Sequence, residues 1–345
     1  MSSKKSGWKQ KLILTAVSCL IIFAFLGLGE VYCRLFTRIN FLDNSRGLFT
    51  YKKFGESYGN TPNFEGVSFG GTFYTDGEGM RIDPNFKPTA SANADALLIM
   101  GDSVAFGPAV SDDVTIAGNL RRWLPKTKIL NGSAIGYDSF DYRTVTLAHI
   151  ANHPEVKTVA LIICLNDISD ASAQMIRSQN GQTSEADTQV ASPSIPRRVN
   201  DYLRSRSKLF LWLKNVLVDT QMYYFKYDLA GYQKGEQNVA DSLRPIVELD
   251  RELKARGVAL KVFVSPYEAQ LRIKPPEDSQ LPQQLITSIL TKKGVENYDL
   301  APEFLKLASN TNSLFLYGDP MHLSAAGAKV AATAVCAKIG GCTPQ

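Results

Sequence analysis

Residues 96–103 read ALLIMGDS, a short apolar run that ends in a glycine, an aspartate and a serine. A run of this length, bounded by a turn signal, is typical of a strand buried on both faces of a parallel sheet. We therefore predict a strand at residues 96–100, with Gly101, Asp102 and Ser103 in the turn at its carboxyl end. In open parallel sheets this is the edge where ligands bind.

Strand-like and helix-like patterns alternate after this run. They predict strands at 128–131, 158–165, 258–264 and 295–299, and helices at 114–124, 139–150, 238–255 and 324–339. Strands that alternate with helices imply an α/β fold, in which a parallel sheet carries helices on both faces. We expect this domain to span residues 94–342, with an insertion at about 169–235. Residues 30–93 are polar and glycine-rich for most of their length, and we expect them to form a stalk and an outer flap.

The amino terminus has the pattern of a membrane anchor. Residues 12–29 are uncharged and apolar, a run long enough to cross a bilayer as a helix, and four lysines precede them. The lysines predict a cytoplasmic tail at residues 1–11 and place everything after the transmembrane helix outside the cytoplasm, in the periplasm of a Gram-negative cell. A cleaved signal peptide is the alternative, although its apolar region would be unusually long and no small-residue cleavage site follows.

The insertion has two parts of different composition. Residues 172–196 are polar and rich in turn formers, and we expect them to be mobile. Residues 197–218 combine arginines and lysines with leucine, phenylalanine and tryptophan, which predicts an amphipathic helix. Three interpretations of this helix stay open: packing on the domain, a lid over the site, or contact with anionic lipid headgroups.

Composition and motifs exclude several classes of function. The net charge is only +5 and no basic patch lies on a recognisable module, so we expect no nucleic-acid partner. His149 and His153 are four residues apart without a third ligand, and we interpret them as surface residues at a helix end rather than as a metal site. We expect no metal, because the sequence has no CxxC pair or zinc-like spacing, and no cofactor, because P-loop and dinucleotide-binding motifs are absent. Cys336 and Cys342 flank a Gly-Gly turn, which predicts a disulfide in an oxidising compartment.

Three polar features lie at the ends of predicted elements, where chemistry is expected. Ser103 follows the first strand and can present its hydroxyl at the sheet edge, with its own N–H free to face an oxyanion. Asp319 precedes His322 in a proline-containing turn, where it can hold the imidazole that accepts the serine proton. Asn166 follows a predicted strand, where its amide can either donate to an oxyanion or close an Asx turn.

Four segments, in this order, resemble the motif blocks of the SGNH/GDSL hydrolase superfamily. They are GDSVAFG at 101–107, NGSAIGY at 131–137, LND at 165–167 and DPMHLS at 319–324. The segment DGEGMR at 76–81 is similar to a feature of envelope-associated members. The resemblance implies a flavodoxin-like three-layer α/β/α sandwich with a parallel sheet, here preceded by one transmembrane helix.

The resemblance also implies roles for individual residues. Ser103 would be the nucleophile, His322 the general base and Asp319 the acid that orients it. The oxyanion would be bound by the N–H groups of Ser103 and of Ser133 and by the side chain of Asn166.

The implied activity is that of a serine esterase or O-acyltransferase acting on cell-envelope carbohydrate, with O-acetyl groups as the first expectation. Water as acceptor would make it an esterase and a sugar hydroxyl an acyltransferase, and the sequence does not choose between them. Ser133 and Cys164 stand where many members have glycine, which leaves a non-catalytic protein that binds or exports polysaccharide as one alternative. A lipid esterase is the other. The expected partners are an acylated polysaccharide or another ester substrate, the membrane through the amino-terminal helix, and polysaccharide-export machinery.

Overall fold

The computed structural model describes residues 4–169, 195–307, 311 and 313–344. The chain divides into two compact units, one of residues 1–42 and 193–218 and the other of residues 43–192 and 219–345. Most of the segment 172–196, which we expected to be mobile, lies outside the described residues.

The described strands all belong to the second unit. In chain order they are β1 (Phe49–Phe54), β2 (Ser57–Asn60), β3 (Glu65–Ser68), β4 (Gly71–Thr75), β5 (Arg81–Ile82), β6 (Ala96–Gly101), β7 (Lys128–Asn131), β8 (Val156–Ile163), β9 (Ala259–Val264) and β10 (Asn297–Asp299).

The described α-helices are distributed over both units. In chain order they are α1 (Lys4–Phe36), α2 (Ser103–Phe106), α3 (Ile116–Trp123), α4 (Ser139–Asn152), α5 (Leu165–Ser169), α6 (Ile195–Arg206), α7 (Lys208–Leu217), α8 (Thr220–Tyr232), α9 (Glu236–Ala255), α10 (Leu281–Lys292), α11 (Ala301–Leu305) and α12 (Ala325–Ile339). Short 3₁₀ helices lie at Asp112–Val114 and Glu268–Leu271.

The central sheet has five strands in the order β10-β9-β8-β6-β7, and every neighbouring pair is parallel. Counted from β6, this is the order 2-1-3-4-5 of flavodoxin-like folds. Helices cover the sheet, with α9 packed on α4 and α12 packed on α3. The prediction of an α/β fold with a parallel sheet is therefore confirmed.

The carboxyl ends of the central strands meet at one edge of the sheet. Gly101 of β6 pairs with Ile162 of β8, and Ile163 of β8 pairs with Val264 of β9. Strand β6 has its successor β7 on one side and β8 on the other, so the winding of the chain reverses between β6 and β8. The loops after these two strands therefore leave a crevice at the switch point, and the candidate residues follow them.

Two predicted elements end at different residues in the structure. Strand β8 ends at Ile163 rather than at residue 165, and Leu165 begins the short helix α5. The single helix predicted at 197–218 is two helices, α6 and α7, separated at Ser207. The Ser207 hydroxyl accepts a hydrogen bond from the N–H of Phe210 at 3.0 Å, which caps a new helix instead of continuing the old one.

Residues 43–93, expected in a stalk and flap, lie in the same compact unit as the central sheet. The Tyr58 hydroxyl donates to the carbonyl of Ile135 at 2.7 Å, and Nδ2 of Asn60 donates to the carbonyl of Ser133 at 3.0 Å. The small antiparallel sheet β1-β2 is thus tied to the loop that follows β7, and a second antiparallel sheet, β3-β4-β5, belongs to the same unit.

Helix α8, which falls within the expected insertion, also belongs to the second unit. The hydroxyl of Tyr232, at its carboxyl end, donates to the carbonyl of Leu165 at 2.6 Å.

Close to the carboxyl terminus, Cys336 and Cys342 are paired, with Cα atoms 5.6 Å apart, so the predicted disulfide is confirmed.

The first unit contains the apolar amino-terminal helix. Helix α1 runs from Lys4 to Phe36, well beyond the predicted span at residues 12–29. Among the described residues, its segment Trp8–Phe36 is the one helix long and apolar enough to cross a membrane.

Candidate active site

Ser103 lies at the first position of α2, directly beyond the end of β6. Gly101 has a φ of +150°, and a Cβ there would stand 2.3 Å from the carbonyl oxygen of Ile162, so the close approach of β8 requires glycine. Asp102 caps the helix, since its Oδ1 accepts the N–H of Val104 at 2.8 Å. Ser103 is 6% exposed.

His322 and Asp319 lie in the turn before α12. The Nδ1–H of His322 donates to Oδ2 of Asp319 at 2.7 Å, and the N–H groups of His322 and Met321 donate to Oδ1 at 2.8 and 3.0 Å. On the other side of the ring, Nε2 of His322 lies 2.9 Å from Oγ of Ser103. The structure therefore brings Ser103, His322 and Asp319 into a continuous hydrogen-bonded array, the arrangement needed to activate a serine.

The array is buried enough for its charges to act strongly on one another. Burial lowers the pKa of His322. The charges of Asp319 and, to a smaller extent, of Asp102 raise it and outweigh the effect of burial, so the pKa of His322 lies above its ordinary value. Burial raises the pKa of Asp319, but the charge and hydrogen bonds of His322 and the N–H of Met321 outweigh it, and that pKa lies below its ordinary value. A negative Asp319 therefore stabilises the imidazolium that forms when Ser103 loses its proton.

A second, deeper carboxyl pair lies behind the serine. Oδ2 of Asp102 lies 3.0 Å from Oγ of Ser103, while Oδ2 of Asp167 accepts the hydroxyl of Tyr142 and the N–H of Cys164, both at 2.6 Å. Burial raises the pKa of both carboxyls, and the neighbouring charge of Asp102 helps to raise that of Asp167 far above its ordinary range. The pKa of Asp167 is raised because two adjacent buried carboxyls cannot both ionise at low cost.

Cys164, one of the two departures from the family pattern, is a structural residue. It is fully buried, and burial raises the pKa of its thiol well above the ordinary value. A thiol in this state does not compete with Ser103 as a nucleophile.

Asn166 lies in α5, at the sheet edge where β8 ends. The hydroxyl of Tyr267 donates to Oδ1 of Asn166 at 3.4 Å and lies 2.7 Å from Oδ2 of Asp228. The Asn166 side chain is half-buried and lies at the same sheet edge as Ser103.

Ser133 differs from the expectation that its N–H would bind the oxyanion. The N–H donates to Oδ1 of Asn131 at 3.2 Å, the Ser133 hydroxyl donates to the same oxygen, and the residue is fully buried. Asn131, the last residue of β7, thus closes an Asx-type turn with the N–H that the resemblance assigned to the site. Three residues later, Gly136 is exposed with a φ of +86°, and its N–H donates to no other described residue.

Two residues to which the sequence analysis gave no individual role support the array. The ring of Phe69 meets His322 edge to face, with centroids 5.0 Å apart, although Phe69 has a φ of +50°, which is rare for a bulky residue. Arg81, 2% exposed, donates to the carboxylate of Asp112 and to the carbonyls of Phe106, Gly107 and Val110. It therefore fixes the loop that follows the serine helix.

One of the other two histidines, His149, differs from the sequence-based interpretation. His149 is 4% exposed, and burial lowers its pKa to about 4, so it is a neutral core residue rather than a surface one. Its ring packs against Phe54 of β1, which the sequence pattern assigned to the stalk and outer flap. His153 lies 3.0 Å from Oε2 of Glu78. Among the described residues, no group of three or more His, Cys, Asp or Glu side chains is placed to hold a metal ion.

Comparison with known proteins adds one family match. Residues 222–343, about a third of the chain, match the family described as the SGNH hydrolase-like domain of the acetyltransferase AlgX. The matched segment contains Asp319 and His322 but not Ser103. No sequence among curated proteins matches the chain.

Solved structures give more distant likenesses. YxiM from Bacillus subtilis is 12% identical, with 71% of this chain and 55% of that chain covered and a TM-score of 0.41. The acetylxylan esterase Axe2 from Geobacillus stearothermophilus is 15% identical, with 74% and 97% covered and a TM-score of 0.41. A lipolytic G-D-S-L family member from Veillonella parvula is 10% identical, with 70% and 95% covered and a TM-score of 0.38.

At these TM-scores the structural likenesses carry no argument about activity. The family match does not depend on them, and it contains the histidine and the aspartate that meet Ser103 at the switch point of a flavodoxin-like sheet. Residues 222–343, the carboxyl-terminal part of the α/β unit, are therefore similar to an SGNH hydrolase-like domain.

Proposed function

We propose that the chain is a serine-dependent esterase or O-acyltransferase that acts on acylated carbohydrate of the cell envelope. The observation that carries the proposal is the array in which His322 lies 2.9 Å from Ser103 and 2.7 Å from Asp319. Its order of nucleophile, base and orienting acid is the one that acyl transfer through a serine requires.

In the first step, Oγ of Ser103 attacks the carbonyl carbon of an ester while Nε2 of His322 takes its proton. The carbonyl oxygen becomes an oxyanion, for which the N–H of Ser103 and the amide of Asn166 are the proposed donors, each contributing roughly 3 kcal/mol. Gly136 offers a third N–H in place of the one that Ser133 gives to Asn131. Collapse of the intermediate expels the alcohol, which takes the proton from His322, and leaves an acyl-serine.

In the second step, water or a sugar hydroxyl attacks the acyl-serine. His322 removes the proton of the attacking group, and the new tetrahedral intermediate collapses to release the acid or the new ester and to return the proton to Ser103. The matched family is described by an acetyltransferase, which supports acetyl as the acyl group and a hydroxyl-bearing acceptor in the second step.

The direct test is ester turnover by the purified full chain. We expect p-nitrophenyl acetate to be cleaved faster than longer esters, and an added sugar acceptor to divert acetyl groups from water if the protein is a transferase. A chain that turns over no ester, with or without acceptor, contradicts the proposal.

One observation favours a second candidate, a domain that binds acylated polysaccharide without turning it over. The N–H of Ser133 donates to Asn131, so the third donor of the expected set is missing unless Gly136 supplies it. A fluorophosphonate separates the candidates, because it labels Ser103 only if the serine is activated. Labelling in the wild type and its absence in Ser103→Ala would support the enzyme.

The amino-terminal helix is proposed to be a permanent anchor with the lysine-rich tail in the cytoplasm. Support comes from Glu30 at the end of the apolar run, since its carboxylate accepts hydrogen bonds from the N–H groups of Lys208 and Leu209 at 3.1 and 2.9 Å. Cleavage beyond Glu30 would remove a cap on which α7 depends. A phosphatase fused after Gln345 should be active, because the fusion point lies outside the cytoplasm. The mature protein should retain residues 4–29, and a mature protein that begins beyond residue 30 contradicts the anchor.

A further inference from the structure

Helix α7 presents an apolar face that is only partly covered within its own unit. Leu209, Trp212, Leu213 and Val216 follow one another at the spacing of a single helix face. Val216 is 61% exposed and the adjoining Leu217 is 79% exposed, while only Leu211 of this helix is buried. A contiguous apolar face of this kind marks a surface that meets another apolar phase.

The position of α7 along α1 is fixed by one carboxylate. Glu30 is the first charged residue after the apolar run, and besides the two N–H groups of α7 its side chain accepts the hydroxyl of Ser207 at 2.8 Å. Arg34 completes the connection, with Nε 2.7 Å from Glu30 and Nη2 2.7 Å from the carbonyl of Arg206. The beginning of α7 is therefore held at the residue where α1 leaves its apolar segment.

This connection determines the depth of α7 if α1 spans a bilayer. A charged residue that directly follows a transmembrane run lies at the boundary between hydrocarbon and headgroups. A helix whose first turn is capped by that residue begins at the same depth. Close contact between Leu209 and the surface of α1 at Gly29 keeps the two helices together there.

The charges around α7 suit an anionic surface. The helix contains Lys208 and Lys214 and no acidic residue, and Arg204 and Arg206 lie in the last turn of α6 just before it. Basic side chains beside an apolar helix face are the pattern of helices that lie in the plane of a membrane interface, where they meet lipid phosphates.

We propose that α7 lies in the outer interface of the membrane that anchors α1, with Trp212, Leu213, Val216 and Leu217 among the acyl chains and the basic residues at anionic lipid headgroups. The inference rests on the proposed anchor and adds a second membrane contact to it. It selects one of the three interpretations left open by the sequence. A lid or a contact with a second copy would instead bury the same face against protein.

Trp212 allows a direct test in the full chain. The other tryptophans are Trp8 in α1 and Trp123, which is 3% exposed in the core of the α/β unit. The Trp8→Phe variant is placed in nanodiscs of phosphatidylcholine and phosphatidylglycerol, with acyl chains either plain or brominated near their midpoint. Bromine quenches tryptophans that touch acyl chains, so emission of Trp8→Phe should fall markedly in brominated discs. The Trp8→Phe/Trp212→Phe variant should lose almost none of its tryptophan emission in brominated discs.

Two further measurements make the result decisive. Glu30→Ala removes the cap, and we expect it to reduce the quenching of Trp212 while the chain stays in the disc. Equal emission of Trp8→Phe in plain and brominated discs would overturn the inference, whether the face is covered by a lid or by a second copy. Retention of the chain on liposomes after an alkaline carbonate wash tests the anchor separately, so retention without quenching removes this inference and leaves the anchor standing.

Discussion

Nε2 of His322 lies 2.9 Å from Oγ of Ser103, across 219 residues of chain. The serine is placed by the end of β6, while the histidine is placed by the turn that precedes α12. That turn is held from outside by α8, since Nε2 of Gln221 donates to the carbonyl of Asp319 at 3.1 Å and the hydroxyl of Thr220 donates to that of Gly318 at 2.9 Å. The contact thus depends on the sheet edge and on a helix that the sequence pattern assigned to an insertion.

Ser103→Ala should lower ester turnover by about a thousandfold or more, because no other group in the array can form the acyl intermediate. The fold should be unchanged, since the cap of α2 is made by Asp102 and not by Ser103. The measurement is kcat for p-nitrophenyl acetate beside a thermal melt. Ser111→Ala, which removes an exposed hydroxyl bonded to Asp113, is the matched control and should keep full activity. Wild-type turnover in Ser103→Ala would refute the nucleophile assignment.

Asp319→Asn should change the pH dependence as well as the rate. His322 can act as a base only when it is neutral, so activity falls as the pH drops through its pKa. Because this pKa is raised, the loss of activity begins at a higher pH than for an ordinary histidine. Without the carboxylate, the pKa of His322 falls, and the acid limb of kcat/KM should move to lower pH. The rate itself should fall by up to about 10⁴-fold.

Asp102→Asn is the control for that experiment. Asp102 is the weakest of the groups that raise the pKa of His322, so the acid limb should move in the same direction by a smaller amount. An asparagine can still cap Val104 through its oxygen, which keeps α2 in place. If the acid limb of Asp319→Asn stays where it is in the wild type, His322 is not the base that this limb reports.

Arg81→Ala should destabilise the α/β unit by about 3–5 kcal/mol, since it leaves the buried Asp112 carboxylate without its partner. The loop at residues 106–110 loses its anchor at the same time, so activity should fall with stability. A thermal melt should show a decrease of roughly 10 °C. Arg122→Ala, which removes an exposed arginine from α3, should change the melting temperature little. A melt of Arg81→Ala that matches Arg122→Ala would show that the buried pair does not hold this loop.

The parts of the fold that the sequence predicted are those encoded by local pattern. Strand β7 was predicted at its observed residues, because a short apolar run between turns has few alternatives. The pairing of Asp319 with His322 was predicted because three residues separate them in one turn. The edge contact of Phe69 with His322 was not predicted, because it depends on how the outer sheets pack. The N–H of Ser133 was assigned to the oxyanion because a resemblance does not show where the side chain of Asn131 points.

Asn166 separates an enzyme from a domain that only binds. If its amide donates to the oxyanion, Asn166→Ala should leave KM nearly unchanged and lower kcat by roughly a hundredfold or more, because the donor acts on charge that develops in the transition state. Asn166→Asp should lower kcat further, since it places a carboxylate where a negative oxygen must form. Tyr267→Phe removes the hydroxyl that lies 3.4 Å from Oδ1 of Asn166, and it should lower kcat less than either substitution of Asn166.

The measurement is kcat and KM for these three variants, each beside a melting curve. Asn85→Ala, on an exposed turn, is the control for loss of an asparagine as such. If Asn166 only closes the start of α5, the Ala variant should melt earlier and keep its activity per folded molecule. A raised KM with unchanged kcat, or a loss of rate that follows the loss of fold, would place Asn166 among the structural residues and leave the oxyanion to backbone N–H groups such as those of Ser103 and Gly136.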